Sequence, residues 1–174
     1  KMAEAFSNKL TRAAGIVTTS SSGSIGITTT IITGISTVGV AVSDLVDNTN
    51  FIAGTKVTGY GAAASQVVVD QTSTNTATVT GSAIVNFLGM TTAYTSAAAT
   101  KSILIGGTFA NNTSSSVNLT IEVHDASAGI QAALATKIPV PTGSSFVISD
   151  AGKSVLEAGD EVRVFCDTAN AIDV

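Results

Sequence analysis

The stretch V-N-L-T-I-E-V-H-D, residues 117–125, alternates without interruption. Val117, Leu119, Ile121 and Val123 share one parity, and Asn118, Thr120, Glu122 and His124 share the other. Successive side chains of a strand point to opposite faces, so the pattern sets four apolar groups on a core and four polar groups on the reverse side. This is the signature of an antiparallel sheet covered on one face. EVRVFC, 161–166, repeats it, with Val162, Val164 and Cys166 opposite Glu161, Arg163 and Phe165. KSILIGGTF (101–109), AALATKIPV (132–140, ended by Pro141) and SSFVIS (144–149) add strands around these two. AIDV (171–174) begins another, expected to run on past Val174.

The same texture extends upstream. GSIGITTTIITG carries Ile25, Ile27, Thr29 and Ile31 on one parity. The runs VGVAVSDLV (38–46), TKVTGYG (55–61), QVVVDQ (66–71), TATVTG (76–81) and AIVNFLG (83–89) follow. Turn-forming DNTN (47–50), AGT (53–55) and STN (73–75) separate them. Many short strands punctuated by Gly, Asn and Asp predict a sandwich or barrel. A parallel β-helix is the alternative, but no fixed repeat period supports it. MTTAYTSAAATK (90–101) lacks periodicity and reads as a connector. The expected fold class is therefore all-β. Two small β-sandwich or barrel-like domains, 16–89 and 101–174, are joined by a linker at 90–100. A short helical or extended N-terminal arm, 1–15, precedes them. In that arm Ala3, Phe6, Leu10 and Ala13 recur at helical spacing, and Gly15 is a plausible stop. About three turns is too short for a helix that is stable alone.

Composition narrows the function. Apolar residues make up 44% of the 174 and charged residues only 11%. Thr (26) and Ser (20) supply the missing polarity. Hydroxyls cost less to desolvate than ions, which suits a surface partly covered by neighbours. The net charge is −4, and the basic residues after residue 12 (Lys56, Lys101, Lys137, Lys153, Arg163) are scattered. That spacing speaks against nucleic-acid binding. No apolar run reaches 18 residues, so no membrane contact is expected. A single cysteine, Cys166, permits no intramolecular disulfide.

Candidate chemistry is sparse. Glu157, Asp160 and Glu161 cluster around Gly159, but they read as a turn entering a strand. They lack the alternating acidic positions of a calcium loop. His124, the sole histidine, sits beside Asp125 without a G-x-S-x-G or other nucleophile motif. His124 plus Cys166 is too few ligands for zinc. Cys166 is in phase with Val162 and Val164 and reads as a core residue. The Gly-rich GSIG (23–26) and GYG (59–61) lack the lysine and the strand–helix context of a phosphate loop. Sequons beginning at Asn111, Asn112 and Asn118 matter only in a secretory pathway. No catalytic residue, metal site or cofactor is expected.

IPVPTGSS (138–145) and VLEAGDEVRV (155–164), with the alternating strand before them, resemble a small β-sandwich module of tailed-phage structural proteins. ITGISTVGVAVSDLVDNTNFIAGTKVTGYG (32–61) resembles another phage β-module. AEAFSNKLTRAAGIVTTSSSGSIGI (3–27) is similar to the start of virion structural proteins of marine cyanobacterial phages. The resemblance implies a non-enzymatic virion protein, with capsid-surface decoration favoured and a neck, tail or baseplate position as the alternative. It implies contacts with copies of itself as a homo-oligomer, and with major capsid or tail proteins. Phe6, Leu10 and Arg12 would anchor the arm to a neighbour. A carbohydrate-binding adhesion module is the rival from another class. Its sugar-stacking aromatics are poorly represented, with no Trp and only Tyr60 and Tyr94 besides Phe.

Overall fold

β-Branched residues interrupted by Gly, Asn and Asp leave little room for helix, and every regular element among the described residues is a strand. The computed structural model describes residues 8–149 and 154–174. The strands are β1 (Ile16–Ile25), β2 (Ile31–Thr33), β3 (Leu45–Asp47), β4 (Val57–Tyr60), β5 (Gln66–Val69), β6 (Val79–Gly89), β7 (Thr91–Thr95) and β8 (Ser102–Leu104). They continue with β9 (Gly107–Asn111), β10 (Val117–Asp125), β11 (Ile130–Val140), β12 (Ser145–Ile148), β13 (Ser154–Leu156), β14 (Glu161–Cys166) and β15 (Ile172–Asp173).

Strands β1–β6 form one antiparallel sheet in the order β3-β6-β1-β2-β5-β4. β1 pairs along β6 from Ile16↔Gly89 to Ile25↔Val79, with register shifts around Gly23. Such bulges bend a strand and increase its twist, and β1 goes on to pair with β2 through Ser24 and Ile25. The two end strands meet at a bridge between Leu45 and Lys56. Val46 N donates to Thr55 O (2.8 Å) and Val57 N to Asp44 O (2.9 Å) on either side of it. Ile25, Ile32, Val46, Phe51, Val57, Val67, Val85 and Phe87 fill the space enclosed. The parity expected for Ile25, Ile27, Thr29 and Ile31 breaks here, since Ile25 is buried while Ile27 and Ile31 are exposed. Residues 26–30 are a turn in which Thr29 Oγ1 accepts from Ile31 N (3.1 Å), so the phase resets and Ile32 becomes the core residue.

The remaining strands pair among themselves as β11-β10-β14-β7, β12-β9-β15 and β13-β8. The expected core parity of β10 appears in the structure: Val117, Leu119 and Ile121 are buried and pack with Phe109, Leu156 and Ile172 from the other sheets. Two expectations are corrected. The connector contains β7, which pairs with β14 from Val164↔Thr91 to Val162↔Tyr94. Its threonines and tyrosine have strand propensity but no alternating apolar pattern, because no side chain of β7 is fully buried. The run 38–46 is a strand only from Leu45; residues before it are mainly turn.

Of the two forms expected for the arm, helical or extended, the described residues take the extended one. Residues 8–14 are not helical; Phe6 lies outside the described residues. Thr11 and Val174 exchange backbone bonds (3.0 and 2.8 Å), as do Ala14 and Ile172 (2.7 and 3.0 Å). Ala14 is fully buried in the second core. Bonding to a sheet edge wins over a helix too short to sustain itself. Gly15 turns the chain from this pairing into β1 with φ of 123°, and a Cβ there would collide with the carbonyl oxygen of Thr168. Gly15→Ala is therefore expected to lower stability by about 1–3 kcal/mol, read as a lower urea midpoint with an unchanged slope. An unaltered midpoint would show that the 11–15 segment is not anchored as described.

Candidate functional site: the junction between the two sheet systems

The reverse face of β10 and β14 carries three cross-strand pairs: Thr120 with Phe165, Glu122 with Arg163, and His124 with Glu161. Alternation alone would give this face to water. Instead Thr120, Glu122 and Phe165 are buried, because the first sheet lies over them. Phe165 packs with Leu45 of β3, Leu88 of β6, Val17 and Met90. Beside it Lys56 Nζ reaches Glu122 Oε2 at 2.7 Å, with the two side chains only 14% and 7% exposed. The same ammonium stands 5.9 Å from the Phe165 ring centroid, within range of a cation–π attraction. Lys56 is held at this point by its backbone N–H on Asp70 Oδ1 (2.8 Å) and by its bridge to Leu45.

Polarity rises along the row. Arg163 Nε donates to Glu161 Oε2 (2.7 Å), and Arg163 Nη2 contacts His124 Nδ1 (2.8 Å). A guanidinium can only donate, so Nδ1 accepts and the ring proton sits on Nε2. At the other end Lys137 Nζ meets Asp47 Oδ1 at 2.6 Å across the junction, a partly exposed pair contributing about 1 kcal/mol or less. Asp47, Lys137, Asn118, Thr120 and Asp167 line a cleft there with room for little more than one water molecule.

The residues singled out in the sequence are dispersed and already engaged. Asp160 is buried, accepting from Ala126 N on Oδ1 (3.0 Å) and from Glu157 N on Oδ2 (2.8 Å), so it builds the turn. Glu157 pairs with Lys101 in solvent. Asp125 does not orient His124. Its carboxylate accepts from Ala128 N, Ser127 Oγ and Ser127 N, and these bonds, Ala128 first, hold its pKa below the usual value. Cys166 is buried, and burial pushes its thiol up to about 11, the state of an unreactive thiol. Among the described residues no three His, Cys, Asp or Glu side chains come together as a metal site. Of the proposed anchoring residues, Leu10 is 85% exposed and Arg12 is exposed. The Lys56–Glu122–Phe165 group escaped sequence reading, although one signal was present: Phe165 shares its parity with Glu161 and Arg163.

Compared with known proteins, the chain matches no protein family, no curated protein and no solved structure.

Removing one partner of a buried ion pair leaves the other charge uncompensated. Glu122→Leu alone is expected to cost about 3 kcal/mol, while Lys56→Met with Glu122→Leu together stays within about 1 kcal/mol of wild type. A double-mutant cycle in urea, with Lys56→Met as the second single variant, measures both; a double-variant loss equal to the sum of the two single losses would mean the pair is not coupled.

Asp44, just before β3, is also buried. Burial raises its pKa, opposed by the bond it accepts from Ala41 N (2.8 Å). A carboxyl raised on folding contributes fully below about pH 4, its unfolded value, and that contribution is lost as pH rises through the folded value. Asp44→Asn keeps an oxygen for Ala41 N–H without the charge. Its stability relative to wild type is expected to climb between about pH 3 and about pH 7. A difference that is flat or falls with pH, measured by thermal melts, would contradict this.

Proposed function

We propose that the chain is a non-enzymatic structural component of a tailed-phage particle. In this reading it has two sandwich- or barrel-like β-domains behind a short N-terminal arm, and acts through contacts with copies of itself and with neighbouring virion proteins. The observation that carries the reading is the number of large aliphatic side chains left in water on both halves. Leu10, Val38, Ile84, Ile103 and Ile130 are each more than 60% exposed, and Val42, Val147 and Val155 more than half. We read these side chains as surface that neighbours cover, which requires that some of them lie together as contiguous patches. The phage-like IPVPTGSS and VLEAGDEVRV stretches point the same way, and the low charge keeps such contacts inexpensive to desolvate. Decoration of the capsid surface is the favoured position.

The arm is correspondingly shorter than the sequence suggested. Residues from Thr11 belong to the fold through the Val174 and Ile172 pairings, so removal of 2–14 would damage the fold as well as the arm. Deletion of residues 2–10 isolates Phe6 and Leu10. It is expected to leave the thermal midpoint nearly unchanged and to reduce incorporation into particles by about tenfold or more. Incorporation is counted by antibody labelling of intact virions in the electron microscope. Label over the whole head supports decoration, label confined to neck, tube or baseplate moves the protein to the tail, and unlabelled particles overturn the virion reading. Full incorporation of the deletion variant would refute the arm's role.

A further inference from the structure

The two sheet systems have separate cores, one built on Val85 and Phe87 and the other on Leu119 and Ile121. Between them lies a third, small cluster of Leu45, Leu88 and Phe165, with Val17 and Met90 against it. Relative motion is the default for units with their own cores unless the interface between them is large and apolar. The chain crosses between these units twice, at Gly15–Ile16 and at Gly89–Met90. The crossings lie side by side: Ile16 pairs with Gly89, and Gly15 N donates to Thr91 Oγ1 (3.3 Å). Residues 11–14 belong with the second unit through β15, so residues 16–89 are an insert attached along one line. Among the described residues, two ion pairs tie the insert down away from that line, Lys56–Glu122 and Lys137–Asp47.

The order of strands places these pairs. The second crossing enters β7, and β14, β10 and β11 lie beyond it in that order. At about 4.8 Å per strand, Phe165 is one strand from the crossing, Glu122 about 10 Å away and Lys137 about 14 Å away. Apolar contact is nearest the crossing and charge is farthest from it. β11 is reshaped at the far point. Its register against β10 shifts between Ile138 and Ala135. Lys137 has φ of 48°, and its N–H donates to Thr120 Oγ1 (3.0 Å). A bulge re-aims a side chain, and from this one Lys137 Nζ reaches across the junction to Asp47. We infer that residues 16–89 form a hinged flap, swinging about the paired crossings and latched on the far side by Lys56–Glu122 and Lys137–Asp47. Hinges of this kind are a few element-terminal residues that absorb the backbone change. Opening uncovers Leu45, Leu88 and Phe165 while both cores stay packed. The flap is a property of the chain alone and does not rest on the function proposed above.

Thiol labelling of the folded full chain, read site by site from peptide masses, tests this. Leu88→Cys reports on the junction, Val85→Cys on the first core and the native Cys166 on the second; all three positions are buried. Leu88→Cys is expected to label faster than Val85→Cys under native conditions. Lys137→Glu sets a like charge opposite Asp47. It is expected to speed labelling at Leu88→Cys about fivefold and to leave the two core thiols unchanged. Adding Asp47→Lys restores a pair of opposite charges and is expected to slow the labelling again. If Leu88→Cys does not fold, Leu45→Cys, its cross-strand partner, takes its place. Junction labelling no faster than that of the first core, or indifferent to Lys137→Glu, would overturn the latched hinge.

Discussion

A strand buried on both faces must satisfy its polar side chains inside the protein or exclude them. β10 meets that constraint at Glu122. One face of the strand supplies Val117, Leu119 and Ile121 to a core, and the other lies under the first sheet. Covering that second face strands a carboxylate, which a cation delivered by the covering sheet neutralises. Lys56 does so from its bridge to Leu45, so the contact between the first sheet's end strands and the docking of that sheet on the second meet at the same residue. Phe165 adds an apolar surface on the dry side, and the Arg163–Glu161–His124 chain carries the row out to water. The ion pair adds little net stability, since apolar replacements of equal volume would serve as well energetically.

The core face of this arrangement was legible in the sequence because alternation is a local property. VNLTIEVHD and EVRVFC state which residues of β10 and β14 face inward, and Cys166 falls in its expected place. What covers the reverse face is not local. Glu122 and Thr120 read as solvent-facing, and only Phe165, an aromatic among charges, hinted that the face is buried. The acidic stretch around Gly159 read correctly as a turn, since Asp160 accepts from Glu157 N across it and from Ala126 N of the neighbouring loop.

The misreadings share a cause. Ala3, Phe6, Leu10 and Ala13 have helical spacing, yet residues 11–14 are drawn into the edge beside β15, where hydrogen bonds to Ile172 and Val174 are already arranged. β7 was hidden because a strand without a buried face writes no apolar period. In both places tertiary partners supply what the local sequence does not encode, and propensity is only a weak prior against them.

The pairing of Thr11 with Val174 and of Ala14 with Ile172 has a mechanical side. The two segments run antiparallel, so the chain leaves the pair from Thr11 and from Val174 at the same end. A pull on those two points loads the Thr11–Val174 bonds first and the Ala14–Ile172 bonds only after they part. The segment opens like a zipper, one pair at a time, and not by shearing all its bonds at once.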